Sequence, residues 1–343
     1  MRLPELALAA VLASSLAVAA CAEVSWPVFV GTNIPWNHFG NDIGGGAFDA
    51  AWFDHYFEGA KRNGSNVARF WLHCGGQGSG LTFNASTGFV SGLTPSFTDD
   101  LRSLVSIAAK HNVALQLTLW SFDMCKDDAG KGYTRSNLIS DPGATRSYVQ
   151  NALNPMLAAI NSVGASGGRN GVFFEVINEP EWCMKSVPCN TKDCVDDADM
   201  QRFVAAVAMA VHEAAFKVTV GSASLKWSSP TQPPAVTSFW DDASLRKHGP
   251  ASGCASPTLD LYNIHYYDWM WNPQWGYDPC RANATYWGVT DRPTVVGELP
   301  ATSKHYSPSK LLSSTRSINA SCYYVTSVLL WNINTATNHC RVS

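Results

Sequence analysis

The chain has 343 residues, 46% hydrophobic and only 15% charged, with a formal net charge of −3. With 13 Trp, 11 Tyr and 15 Phe, this composition excludes a disordered chain, and the shortage of charge excludes a coiled coil. There is no basic stripe of the kind nucleic-acid binding requires, so no nucleic-acid partner is expected. A prior of about 150 residues per domain suggests two domains, but an α/β barrel of about 250 residues or more folds as one.

Residues 1–22 read as an export signal. Arg2 supplies the positive start, Leu6 to Ala20 form an apolar run too short for a membrane span, and small residues follow. Cleavage fits after Ala20 or Ala22, although Val18-Ala19-Ala20-Cys21 also loosely matches a bacterial lipoprotein box. No later stretch is long and apolar enough to span a bilayer. The ten Cys of an exported chain are expected to form disulfides. Glycosylation sequons start at Asn63, Asn84, Asn283 and Asn319. Together these features fit a secreted protein.

In chain order, Val28–Trp36 reads as the first strand and Phe48–Asn63 as the first helix. Val67–Leu72 is the second strand. A helix follows from Ser96, with Asp99 as its capping signal and Phe97, Leu101, Leu104, Val105 and Ala108 on one face. Ala114–Phe122 is the third strand, Tyr148–Val163 a helix, and Gly171–Ile177 the fourth strand. Asp197–Phe216 has the clearest helical spacing, through Met200, Phe203, Val204, Val207, Ala208 and Val211. Lys217–Ala223 is the fifth strand, Ser228–Ser238 a loop, and Leu259–Tyr267, Pro293–Leu299 and Tyr324–Ile333 the last three strands.

The strand runs are mostly continuous rather than alternating, which suits strands buried on both faces. Eight such strands alternating with helices predict an α/β fold, a single (β/α)8 barrel, over residues 23–343. The rival is an open doubly wound sheet. Trp36-Asn37-His38-Phe39 stands where its Gly-rich loop would follow the first strand, and Gly44-Gly45-Gly46 comes too late.

Barrel active sites lie at the C-terminal ends of the strands. Those ends carry Asn33 to Trp36, Arg69 with His73, Trp120 with Ser121 and Asp123, Asn178-Glu179-Pro180-Glu181-Trp182, His265-Tyr266-Tyr267-Asp268, Glu298, and Trp331 with Asn332. One carboxylate there could be a structural partner of Arg69. Two, Glu179 and Glu298, facing each other across the mouth, are what glycoside hydrolysis needs.

Val176-Ile177-Asn178-Glu179-Pro180 resembles the fourth-strand motif of the clan A glycoside hydrolases, particularly family 5. Val295-Val296-Gly297-Glu298 resembles its seventh-strand motif, His265-x-Tyr267 its sixth, Leu330-Trp331 its eighth, and Arg69 in Val67-Ala68-Arg69-Phe70 its second-strand Arg. The resemblance implies Glu179 as acid/base and Glu298 as nucleophile. It implies Arg69, Asn178, His265, Tyr267 and Trp331 around the substrate, with no cofactor and no metal. Trp120, Gly31-Thr32-Asn33 and Arg69-Phe70-Trp71 look more like the mannan-cleaving branch, whereas Glu181-Trp182 departs from it, since those mannanases usually carry an Arg there. Trp36, Trp120, Trp182, Trp269, Trp271 and Trp275 are candidates to line a cleft, and Asp123, Glu181 and Asp268 candidate subsite contacts.

Cys183, Cys189 and Cys194 are expected to pin the loop after Glu179, and Cys74 and Cys125 could staple others. The reading is a monomeric, secreted, retaining endo-β-glycanase on β-1,4-mannan or glucomannan. A cellulase-like endo-β-1,4-glucanase and an exo-acting β-glycosidase are the alternatives, and a non-catalytic carbohydrate-binding protein would have lost one carboxylate.

Overall fold

The computed structural model describes residues 29–331 apart from 77, 79, 127–133, 165–170, 188, 225–227, 230, 232–236, 250–255, 272–290 and 301–324. The predicted export signal, the sequons at Asn283 and Asn319, and Trp275 lie outside the described residues, as do the side chains of Trp271 and Trp331. The strands are β1 (Phe29–Asn33), β2 (Val67–Trp71), β3 (Leu81–Phe83), β4 (Val90–Leu93), β5 (Ala114–Ser121), β6 (Val172–Asn178), β7 (Lys217–Ser222), β8 (Tyr262–His265), β9 (Thr294–Pro300) and β10 (Val325–Trp331). All except β3 and β4 close a barrel in sequence order, every pairing parallel, with β10 returning to β1. The eight predicted barrel strands are therefore all present.

The antiparallel hairpin β3–β4, between β2 and the next helix, was not expected. Its strands are short and mostly half-exposed, so they leave little hydrophobic pattern to read.

Helix α1 (Ala50–Arg62) buries Phe53, Phe57 and Ala60, with Asp49 capping its start through the Trp52 N–H. Helix α2 (Phe97–Lys110) buries the five predicted apolar residues, but the expected cap is not made. Ser96 already has helical φ and ψ, so its hydroxyl makes no capping hydrogen bond, and the Asp99 carboxylate accepts from Arg102 instead (2.7 Å). The helix predicted over Tyr148–Val163 is divided into α3 (Pro142–Tyr148), a π turn (Val149–Leu153) and α4 (Asn154–Asn161). Pro155 explains the break: it has no N–H, and in a continuous α-helix its ring would meet the carbonyl four residues back. Helix α5 (Asp197–Glu213) buries all six residues predicted for its face.

Two layers fill the barrel. Val67, Phe173, Leu261, Val295 and Leu329 form a closed apolar cluster. Two residues further along β2, β6 and β8 stand Arg69, Glu175 and Asn263, all buried and hydrogen-bonded to one another across the barrel. The apolar layer is the floor, and the polar layer carries the site.

Strand alternation alone would not place the two carboxylates together. On β6 the pairing with β7 advances three residues, from Glu175 to Asn178, while β7 advances two, from Thr219 to Gly221. On β9 it advances from Val296 to Glu298 while β8 advances one, from Ile264 to His265. Each extra residue is a bulge that changes which face the next side chain takes. The first gives Asn178 the face of Glu175. The second brings Glu298 to the side of His265. The β9 bulge needs glycine: a Cβ on Gly297 would stand 1.9 Å from Asn263 Oδ1.

Candidate active site

Arg69 is the hub of the barrel mouth. All five of its N–H donors are used: Nε and Nη2 on the two Glu175 oxygens (2.7 and 2.6 Å), Nη1 on Asn33 Oδ1 (2.9 Å) and Glu298 Oε1 (2.8 Å), and Nη2 also on Asn178 Oδ1 (2.7 Å). Burial works against its charge, but Glu175 and then Glu298 more than restore it, holding the guanidinium pKa above its ordinary value. Glu175 is held in turn by the amides of Gln116 and Asn263. A buried charge is tolerable only when paired and hydrogen-bonded, and this network meets that condition.

Glu298 takes Arg69 on one oxygen and the Tyr267 hydroxyl on the other. Asn33 Nδ2 donates to the Gly297 carbonyl (2.9 Å), tying the bulge beneath Glu298 to β1. Burial raises the Glu298 pKa above its ordinary 4.5, with His265, Arg69 and the Tyr267 hydrogen bond pulling the other way. Burial pushes the Tyr267 hydroxyl well above its ordinary value, so it remains a donor.

Glu179 follows β6 in a left-handed conformation (φ 49°, ψ 53°), an unusual one for a residue with a side chain. Its N–H is bonded to the Gly221 carbonyl (2.6 Å), and it opens the 3-10 turn Pro180–Cys183. Its carboxyl lies between His265 Nδ1 (2.9 Å from Oε1) and the Trp182 indole N–H, which donates to Oε2 (2.9 Å). Burial pushes its pKa up to about 7, aided by Asp123 and Glu175 and opposed by Trp182 and Arg69. Burial, with Arg69, lowers His265 to about 4, so that imidazole is neutral near pH 7. With that imidazole neutral, the cation beside Glu298 near pH 7 is Arg69, and the Tyr267 hydroxyl adds a neutral hydrogen bond.

One donor atom each from Glu179, His265 and Glu298 lie within 4.8 Å of one another. Such a trio could hold a cation, but the Arg69 guanidinium touching Glu298 opposes one there. The arrangement instead presents two carboxyls across a narrow gap, one held by a cation and one by neutral groups.

No family model matches the chain. It is 27% identical over 261 residues to a mannan endo-1,4-β-mannosidase of Mytilus edulis, covering 70% of this chain and 67% of that protein. It is 28% identical over 295 residues to one from Cryptopygus antarcticus, covering 78% of this chain and 71% of that protein. The β-mannanase structure from Mytilus edulis matches with a TM-score of 0.69 at 24% identity, over 89% of this chain and 87% of that one. The β-1,4-D-mannanase structure from Cryptopygus antarcticus gives 0.72 at 23% identity, over 91% and 86%. The chain is a glycoside hydrolase related to the endo-β-1,4-mannanases. Its barrel is the fold of those mannanase structures.

In this glycoside hydrolase the residues singled out from sequence separate into those that meet at the mouth and those that do not. Glu179, Glu298, Asn178, His265 and Tyr267 converge as described. Arg69 was expected to contact substrate; it is fully buried beneath the carboxyls and acts on them instead. Trp120 was expected to offer a face to sugar, but it is completely buried against His73 and Tyr148. Trp36 is also buried, packed on Phe39 and Trp71. Both are core residues here: Trp120 stands within β5 under His73, which follows β2, and Tyr148 of α3, and Trp36 is enclosed by Phe39 and Trp71. Trp182 is partly buried and directs its N–H to Glu179. Glu181 is buried rather than a subsite contact, whereas Trp269 remains exposed.

The sequence reading passed over Glu175, Gln116 and Asn263. Glu175 had a usable signal: a charged residue inside the apolar run Val172–Ile177 requires a buried partner. The loop after Glu179 is pinned as expected, by Cys125–Cys183 and Cys189–Cys194. Cys74 belongs to neither bridge and lies buried against Trp36 and Trp71.

Proposed function

We propose that this chain is a secreted, retaining endo-β-1,4-mannanase acting on mannan or glucomannan. The observation that carries the reading is the 4.8 Å limit on the separation of the Glu179, His265 and Glu298 donor atoms. Retaining glycosidases hold their carboxyls about 5–5.5 Å apart, whereas inverting ones need room for a water, about 6.5–9.5 Å.

In this mechanism Glu298 attacks the anomeric carbon as a carboxylate. Glu179 gives its proton to the departing glycosidic oxygen, and a glycosyl-enzyme ester forms on Glu298. That ester removes a negative charge from beside Glu179 and lowers its pKa, so Glu179 can take a proton from the incoming water. The water attacks the same carbon, releases the sugar with its original configuration and restores the Glu298 carboxylate. Asn178 contacts the sugar 2-OH, and the family resemblance assigns the apolar platform under the sugar to Trp331, whose side chain lies outside the described residues. The neutral His265 imidazole orients Glu179 without competing for its proton near pH 7. Endo action on mannan is supported by the similarity to the two mannan endo-1,4-β-mannosidases. Secretion is supported by the export-signal pattern of residues 1–22 and by the two disulfides. No helix among the described residues is long and apolar enough to cross a membrane.

Reducing-end release from mannan, glucomannan, carboxymethyl-cellulose and β-1,3-glucan tests the proposal. The expected result is oligosaccharide release from the first two, abolished in Glu298→Ala and with retained configuration by NMR. Equal mutant loss on cellulose alone would overturn the substrate, and undiminished mutant activity would overturn the mechanism.

A further inference from the structure

The turn after β6 holds more than the catalytic carboxyl. Trp182 closes it with two bonds to the same residue: its backbone N–H donates to the Glu179 carbonyl (3.2 Å), and its indole N–H to Glu179 Oε2 (2.9 Å). Its own carbonyl accepts from Asn190 N (2.9 Å) and the Thr191 hydroxyl (3.1 Å), both inside the loop closed by Cys189–Cys194. The next residue, Cys183, is bridged to Cys125 after β5. The indole is thus fixed from both sides.

An indole N–H only donates. Facing Oε2, it disfavours a proton on that oxygen and leaves Oε1, 2.9 Å from His265 Nδ1, as the protonated one. We propose that Trp182 is a positioning residue for Glu179: its indole N–H, set by the two disulfide-bridged loops, directs the acidic proton to Oε1 and stabilises the carboxylate left after that proton departs. This inference rests on the reading of Glu179 as acid/base. The neutral His265 then accepts from Oε1–H at Nδ1 until a glycosidic oxygen replaces it; this tautomer carries its proton on Nε2, which is buried and without a hydrogen-bond partner among the described residues.

The charged and titratable groups facing Glu179 are Arg69 from β2, Asp123 after β5, Glu175 within β6, Glu181 in its own turn, His265 and Tyr267 at and after β8, and Glu298 on β9. Trp182 adds no charge to this set. Removing its N–H changes hydrogen bonding to Glu179 and leaves the charges in place.

The test is the pH profile of kcat/KM on mannan for Trp182→Phe, which keeps an aromatic ring and removes the donor. The basic limb, set by loss of the Glu179 proton, is expected to move up by about one pH unit, with a fall in rate at the optimum. A residue that only fills space would change KM or stability and leave the limb in place, and an unmoved or lowered limb overturns the proposal. A second readout needs neither substrate nor a folded variant at position 182. In the 15N-labelled wild-type protein, one indole N–H resonance is expected to titrate with a midpoint near 7, and Glu179→Gln is expected to abolish that titration. The absence of any such resonance also overturns the proposal. Lack of activity on mannan would overturn the substrate reading and leave this titration to stand or fall by itself.

Discussion

Glu298 stands within a strand and Glu179 on a turn, and the two mounts give the same functional group different chemistry. Glu298 is fastened to the polar layer of the barrel, to a guanidinium that is itself saturated with partners. A full positive charge in direct contact opposes the burial that raises the Glu298 pKa. Glu179 follows the end of its strand, strained into a left-handed conformation and fixed by neutral partners and two disulfide-bridged loops. Without a cation in direct contact, burial dominates and its proton is retained to about pH 7. Division of labour between nucleophile and acid follows from where each carboxyl is anchored.

The sharpest way to break this contrast is to remove the cation. Arg69→Met leaves buried carboxylates without a counter-charge, and about 3–5 kcal/mol of stability should be lost near neutral pH. Urea unfolding at pH 5 and pH 7.5 checks the cause: the loss should be smaller at the lower pH, where protonation relieves the unpaired charge. Equal losses would mean that Arg69 acts through packing.

Gly297→Ala attacks the bulge instead of the charge. Its Cβ would collide with Asn263, whose amide is already committed to Glu175. A cost of about 2–3 kcal/mol is expected, with activity falling further than stability explains, because Glu298 shifts with the bulge. Thermal unfolding and kcat on mannan, measured together, separate the two effects.

Tyr267→Phe removes only a neutral donor from Glu298. The acid limb of kcat/KM, which reports ionisation of the nucleophile, should move up by about one pH unit, with a loss of about ten- to a hundredfold at the optimum. The wild-type profile itself should be a narrow bell. Its acid limb lies above 4.5, because burial raises Glu298, and its basic limb lies near 7, where Glu179 loses its proton. An acid limb unaffected by Tyr267→Phe would show that Arg69 alone sets the nucleophile.

The last effect, a change of slope with pH that leaves activity aside, concerns Glu181, two residues from Glu179. It is buried, accepts from the Ala223 N–H (3.0 Å), and is pushed by burial to about 7. Its folded pKa lies above its ordinary 4.5, so the unfolded chain binds fewer protons between those values, and stability falls as pH rises through about 7. Glu181→Gln removes that group and should flatten the decline between pH 5 and 8 by at most on the order of 3 kcal/mol, read from Tm against pH. An unchanged slope would assign the decline to other groups.

The fold was legible because continuous Val-, Ile- and Phe-rich runs alternating with helical spacing have few solutions, and all eight runs became barrel strands. The meeting of Glu179, Glu298, Asn178, His265 and Tyr267 was legible because polar residues at the ends of apolar strands have few other places to go. Trp120 and Trp36 were misread for a physical reason. An aromatic at a strand end has the same composition whether its loop opens or folds over it, and here both are covered.

By itself, the sequence determined the barrel, the order of its strands and which residue types stand at its mouth, since these depend on periodicity and position along the chain. Tertiary structure alone decided which face each carboxyl takes and what charge it carries. Phase depends on single-residue bulges at β6 and β9, and continuous apolar runs do not mark them. Charge depends on residues far apart in sequence: Arg69 reaches Glu298 across 229 positions, and His265 reaches Glu179 across 86. A carboxyl takes its pKa from the groups that surround it in space, and chain order does not record them.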